Sequence, residues 1–267
     1  MFKVSQHLRP LVLVDFDQTI TIKDTIELLA KTALSLTQSN LTWDYFVDAY
    51  MRDYDQVIRQ NFMDPIVKER ALVKAEQDSL TRVTKNNVFK GLKRQDLLDA
   101  GRREATKSLR PGVIDALKQI SPSDQLHIVS LNWSKDWILG FLDPLGLSQA
   151  QIHCNDLVYG GDGISTGVIE QNILTTQDKK REMDQIISSS QQTSTVYIGD
   201  SLGDLLPLIN ADTGIVIGNN QTLADAIKEN GFSIQPLSSS NNHQKTIYCV
   251  DSWEEIKDSM LLSSGHV

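Results

Sequence analysis

At 267 residues, 40% of them hydrophobic and 22% charged, the chain has an ordinary globular composition. It is long enough to bury a substantial core, as one large domain or as a core with a smaller insert. The net charge of −8 and the lack of any Lys- or Arg-rich run exclude a surface that tracks nucleic-acid phosphates. No apolar window approaches a bilayer span, so no membrane partner is expected.

The opening residues, MFKVSQHLRP, lack the apolar run of a signal peptide, and Cys154 and Cys249 stand far apart. One disulfide would be a poor staple for a chain this long, so a reduced, cytoplasmic protein is expected. Leu11–Val14 is a short apolar run that stops abruptly at Asp15, the pattern of a buried parallel strand delivering its C-terminal end to a site. Residues 25–36 are periodic and predict a helix. Trp43, Val47, Tyr50 and Tyr54 fall at i, i+4, i+7 and i+11, one aromatic face of a second helix. Residues 73–98 continue the helical spacing. This whole stretch reads as an inserted helical subdomain.

Beyond it, a helix opening at Pro111 precedes a strand at 127–130. The turn-rich YGGDGI of residues 159–164 predicts a hairpin. Strands follow at 195–198, entering Gly199-Asp200, and at 214–217, with later, peripheral ones at 232–234 and 246–250. Residues 236–243, PLSSSNNH, read as a polar surface loop, and no internal repeat is found. Strand and helix alternate outside the insert, which predicts a doubly wound, Rossmann-like α/β core with a parallel sheet. The core should comprise residues 1–22 and 105–267, and the helical cap residues 23–104.

The residues with chemistry gather at predicted strand ends. Asp15 and Asp17 flank Phe16 where the first strand turns into a loop, so both carboxylates can converge on one ligand. One can attack phosphorus while the other protonates the leaving alcohol, provided a cation offsets the phosphate charge. Asp200 and Asp204, after another central strand, offer the hard oxygen ligands that Mg²⁺ prefers. The Ser130 hydroxyl, with the N–H groups of Leu131 and Asn132, could bind phosphate oxygens. A lysine should neutralise nucleophile and phosphate. Met183, Ile186 and Ile187 lie at +4, +7 and +8 from Lys179, which puts Lys179 on the buried stripe. Lys180 points about 100° away. Spacing alone leaves these two in competition, and Lys179 is preferred.

This ordered set of four motifs (Asp15 to Thr19, Ser130, Lys179, and Gly199-Asp200 through Asp204) resembles the haloacid dehalogenase (HAD) superfamily of phosphohydrolases, and the helical insert resembles that superfamily's first-position cap. The resemblance implies Asp15 as nucleophile and Asp17 as general acid/base. It implies Mg²⁺ on Asp15, the Asp17 main-chain carbonyl and Asp200, with Asp204 supporting the metal site and Ser130 and Lys179 on the phosphate. Residues 130–134, 164–167, 196–206 and 250–253 further resemble the phosphatase domain of plant thiamin monophosphate phosphatases. Asp24 matches an acidic position that contacts substrate in the related phosphoserine phosphatases.

Plainer readings stand beside these. Asp24 with Thr25, Ile26 and Glu27 also reads as a helix cap, and Ser134 reads as another. The stripe of Trp43, Tyr50 and Tyr54 reads as cap core or as a stacking platform, and Trp133 either lines the substrate pocket or packs. The five histidines lack metal-ligand spacing. The expected protein is a Mg²⁺-dependent phosphomonoesterase acting on a small phosphorylated metabolite, thiamin monophosphate first and phosphoserine or another small ester next. A phosphomutase and an idle phosphate-binding protein are the rivals. Oligomeric state and cap motion are not readable from the chain.

Overall fold

The computed structural model describes residues 10–60, 65–120, 125–190, 194–238, 246–259 and 261–262. In chain order its strands are β1 (Leu11–Val14), β2 (Leu126–Val129), β3 (Ile152–His153), β4 (Asp156–Tyr159), β5 (Ser165–Glu170), β6 (Thr195–Gly199), β7 (Thr213–Ile217), β8 (Ser233–Pro236) and β9 (Thr246–Val250). The helices are α1 (Ile26–Leu36), α2 (Trp43–Arg59), α3 (Pro65–Lys85), α4 (Arg94–Ser108), α5 (Val113–Leu117), α6 (Lys135–Phe141), α7 (Thr176–Ser189), α8 (Leu205–Asn210), α9 (Gln221–Glu229) and α10 (Trp253–Asp258).

Seven strands form one sheet in the order β3-β2-β1-β6-β7-β9-β8, every neighbouring pair parallel. The fold is the doubly wound α/β arrangement that the alternation predicts. β1 shows why an unbroken apolar run is needed at its centre. Leu11 and Leu13 pack with Val129, Tyr197 and Met183 on one face, while Val12 and Val14 pack with Ile128, Ile198 and Trp253 on the other. Both faces are dry, so a polar residue has no place until the strand ends. The chain winds from β1 outward to β2 and β3, then returns to lay β6 on the other side of β1. The carboxyl ends of β1 and β6 thus flank a topological switch point, where open α/β sheets bind ligands.

Between β1 and β2, helices α1 to α3 contribute Leu29, Trp43, Phe46, Leu80 and Val83 to the same apolar cluster that holds Trp133 and Phe141. α4 is continuous across residues 104 and 105, the expected edge of the insert, and crosses α6 closely. A Cβ on Gly101 would strike the Trp137 carbonyl, and one on Gly140 the Leu98 carbonyl. The two glycines are what let these backbones touch.

Several local expectations are corrected. Residues 73–98 are not one helix: α3 stops at Lys85, and α4 starts at Arg94. Asn87 (φ 56°) and Gly91 (φ 89°) reverse the chain between them. There Gly91 N–H donates to Ser165 O, and Ser165 N–H to Leu92 O. Tertiary hydrogen bonding to β5 overrides helical periodicity. α5 begins at Val113 rather than Pro111, because Gly112 sits in the left-handed region (φ 76°) before it. β9 lies inside the sheet between β7 and β8, and the edge strand β3 carried no readable pattern. The β4–β5 hairpin forms across the glycine-rich turn as expected. Part of the 236–243 loop, and the first nine residues, lie outside the described residues. No helix among the described residues is long and apolar enough to cross a membrane.

Candidate active site

Asp15 leaves the end of β1 and is 4% exposed. Phe16 turns into the core against Phe141, ring centroids 5.4 Å apart. Gln18 adopts φ 62° and folds the chain back, which returns Thr19 toward Asp15. The Thr19 hydroxyl lies 3.1 Å from Asp15 Oδ2 and 3.0 Å from Asp200 Oδ1. It has one proton and can serve only one of them. This turn is fastened from below: Trp253 Nε1 donates to Thr19 O at 2.9 Å.

Lys179, fully buried in the first turn of α7, donates from Nζ to Asp15 Oδ1 at 2.6 Å and to Asp204 Oδ1 at 2.7 Å. Burial works against its charge, but Asp15 and Asp204 overcome that and hold its pKa above the ordinary lysine value. Met183 and Ile186 share its buried stripe. Lys180 instead pairs with Asp184 one helical turn on. Of the two lysines that spacing left in competition, Lys179 is the one in contact with Asp15.

Asp204 is saturated. Its Oδ1 accepts from Lys179 and from the Tyr197 hydroxyl, and its Oδ2 from the N–H groups of Asp200 and Ser201 and the Ser201 hydroxyl. Gly199 permits this, since a Cβ there would run into the Asp204 carboxylate. Asp204 therefore clamps the loop and the lysine. Asp15 and Asp200 carry the more open oxygens.

These three carboxylates each offer an oxygen within 4.8 Å of the others. Against them stands the single ammonium of Lys179. Burial, then Asp204 and Asp200, push the Asp15 pKa well up against the pull of Lys179. Burial, then Asp204, push Asp200 to about 6. Facing acidic oxygens joined by one shared hydroxyl proton fit a hard divalent cation.

Asp17 points away from this cluster. Its Oδ1 accepts from the N–H and the hydroxyl of Thr25, each at 2.7 Å, and its Oδ2 from Asn132 Nδ2 at 2.9 Å. Burial, then Asp24, raise its pKa to about 6, opposed by the Asn132 and Thr25 hydrogen bonds. A carboxyl with that value can give and take a proton near neutrality.

After β2, Ser130 is buried, and its Oγ accepts the Asn132 N–H at 3.1 Å. The Asn132 N–H, expected on the phosphate, is thus spent within the loop. The Asn132 side chain instead ties the loop to Asp17 and Thr25. Ser134 caps α6 through Trp137 N–H.

Leu131 and Trp133 line a cavity of about 410 Å³ that extends to Asp24 and to Trp43, Phe46 and Tyr50 of α2. Asp24 Oδ1 accepts Ile26 N–H at 2.7 Å, and the residue lines this cavity. Four residues of the site are assigned no role in it from the sequence. Thr19, Thr25 and Tyr197 lie inside stretches the sequence singles out but are given no role at the site, and Glu76 comes from the middle of α3. Only the folded contacts identify them: Thr19 with Asp15 and Asp200, Thr25 with Asp17 and Asn132, Tyr197 with Asp204, and Glu76 in the cavity wall.

A family model described as haloacid dehalogenase-like hydrolase matches residues 12–208. The chain is 28% identical over 298 residues to the bifunctional TH2 protein, mitochondrial, of Arabidopsis thaliana, covering 91% of this chain and 48% of that protein. It thus spans about half the length of that relative. It is 25% identical over 254 residues to cold tolerance protein 1 of Saccharomyces cerevisiae, covering 80% of each. Its fold is similar to a phosphoserine phosphatase solved as a phospho-aspartyl intermediate analogue, with TM-score 0.50, 18% identity, and coverage of 82% of this chain and 91% of that one.

Proposed function

The chain belongs to the haloacid dehalogenase-like hydrolases, and on that footing we propose that it is a Mg²⁺-dependent phosphatase of small phosphorylated metabolites. The observation that carries this reading is the meeting of Asp15, Lys179 and Asp200 at the switch point, with Asp17 held separately near pKa 6.

In this reading an Asp15 oxygen attacks phosphorus while Lys179 offsets the charge on both partners. As the bond to the leaving oxygen breaks, the Asp17 proton passes to that oxygen. Water then attacks the aspartyl-phosphate, gives its proton to Asp17, and releases phosphate and the Asp15 carboxylate. Thr25 and Asn132 hold Asp17 in place for both transfers. Asp15, Asp200 and the Asp17 main-chain carbonyl would hold Mg²⁺, which supplies positive charge for the phosphoryl oxygens. Ser130 Oγ stands ready to donate to one of those oxygens. The cavity under α2 takes the rest of the molecule, and its size suits a metabolite rather than a folded phosphoprotein. Thiamin monophosphate leads among substrates, supported by the resemblance of residues 130–134, 164–167, 196–206 and 250–253.

The test is phosphate release from p-nitrophenyl phosphate and from thiamin monophosphate with Mg²⁺. Asp15→Asn should remove activity, by about a thousandfold or more in kcat, and excess EDTA should stop the unaltered enzyme. Activity persisting in Asp15→Asn would falsify the nucleophile assignment.

A further inference from the structure

The cavity beside the phosphate site is acidic and aromatic. Asp24, Glu27 and Glu76 line it, and among the described residues no Lys or Arg does. Glu27 is exposed and already paired with Lys31 at 2.5 Å. Asp24 is exposed and bends back onto the Ile26 N–H. Glu76 differs from both. It enters from α3, is half-buried, and its Oε1 accepts the Tyr50 hydroxyl at 2.5 Å. Among the described residues no ammonium or guanidinium pairs with it. Burial raises its pKa, opposed by the Tyr50 hydrogen bond. A half-buried carboxylate without a counter-ion is costly, and a cation brought by the ligand removes the cost.

The same walls are aromatic. Trp43 stacks on Phe46 with centroids 5.5 Å apart and meets Trp133 edge to face at 6.1 Å. Trp43 comes from α2 and Trp133 from the loop that carries Ser130, so the two indoles bridge the insert and the phosphate loop. Asn155 fixes that side of the wall by donating to the carbonyls of Leu131 and Ile173. Electron-rich ring faces next to an unpaired carboxylate are the environment that favours an organic cation.

We propose that this cavity takes the leaving-group half of the substrate and selects a flat ring bearing a permanent positive charge, with Glu76 as its counter-ion and specificity-determining residue. This rests on the phosphatase reading of the adjoining site and sharpens it. An anionic alcohol without an amino group, such as glycerate, would meet Asp24 and Glu76 with like charge and no compensating cation among the described residues of the cavity walls.

Binding of the free alcohols to the full chain tests this without turnover. Thiamin carries the charge, and deazathiamin has the same shape with carbon in place of the charged ring nitrogen. Isothermal titration calorimetry should give thiamin an affinity about tenfold or more above that of deazathiamin. In Glu76→Gln the two affinities should become equal, and in Glu76→Asp the preference should return. Equal binding by the unaltered protein overturns the proposal. So does a preference that survives in Glu76→Gln, or a loss in that variant that weakens both alcohols alike, which marks a structural role. Circular dichroism of each variant reports folding. Because neither alcohol is hydrolysed, failure here is separate from failure of phosphate release, which tests the phosphatase reading.

Discussion

Thr25, legible in the sequence only as part of a helix cap, shows how much of the site hangs on one hydroxyl. Its hydroxyl donates to Asp17 Oδ1 and accepts from Asn132 Nδ2 and Trp137 Nε1, at 2.7, 3.2 and 3.0 Å. One buried oxygen thus joins the loop after β1, the loop after β2 and the helix α6. Thr25→Val keeps the shape and removes that oxygen, leaving two buried donors unmatched. We expect a stability loss of about 1–3 kcal/mol by urea denaturation. We also expect a fall of about tenfold in kcat, with the apparent pKa of the Asp17 limb moved upward, since the lost hydrogen bond favours the ionised form. An unshifted pH profile would remove Thr25 from the positioning of Asp17. Lys179 is the opposite case, where the chain itself points to the residue. A lysine on a helical stripe with Met183 and Ile186 needs an anionic partner in the core, and Asp15 and Asp204 supply it.

At the scale of elements, the α4–α6 crossing carries the join between the inserted helices and the sheet. Arg94 reaches Asp136 at 3.0 Å and lies over the Tyr159 ring, 3.9 Å from its centroid, so α4, α6 and β4 are tied in one network. The backbone contact at Gly101 and Gly140 leaves no flexible side chain to give way. Gly140→Ala should cost about 1–3 kcal/mol through overpacking, read as a lowered Tm. Gly161→Ala, in the open hairpin turn with nothing near its added Cβ, should leave Tm unchanged. Equal effects at the two positions would deny the crossing its special closeness. The crossing was not legible beforehand, because a glycine in a helical pattern looks the same whether it meets a neighbour or solvent.

For the whole molecule, burial holds Asp17 and Asp200 at about 6 against an ordinary 3.8. In the metal-free protein the folded state therefore binds these protons more tightly than the unfolded chain. Their contribution to stability is complete below the unfolded value of 3.8 and is lost as pH rises through about 6. In EDTA, Tm should fall as pH is raised from about 5 to about 7. Mg²⁺ should raise Tm more at the higher pH, because a cation binds the ionised carboxylates and competes with protons for them. Scanning calorimetry at the two pH values decides this. A Tm shift by Mg²⁺ that is larger at the lower pH would contradict the acidic cluster as its site.

The chain by itself determined the strand ends, the buried strand β1, the stripe that carries Lys179 and the acidic residues at 15, 17, 200 and 204. Those features are local: a dry strand must be apolar throughout, a helix repeats every 3.6 residues, and few residue types can perform the chemistry. The tertiary structure alone decided what converges on them. That Asp204 is saturated while Asp15 and Asp200 stay open, that Asn132 turns its amide to Asp17, and that Glu76 of α3 and Trp133 of the β2 loop line one cavity are facts about elements far apart in sequence. Their positions depend on packing, which leaves no periodic mark on the chain.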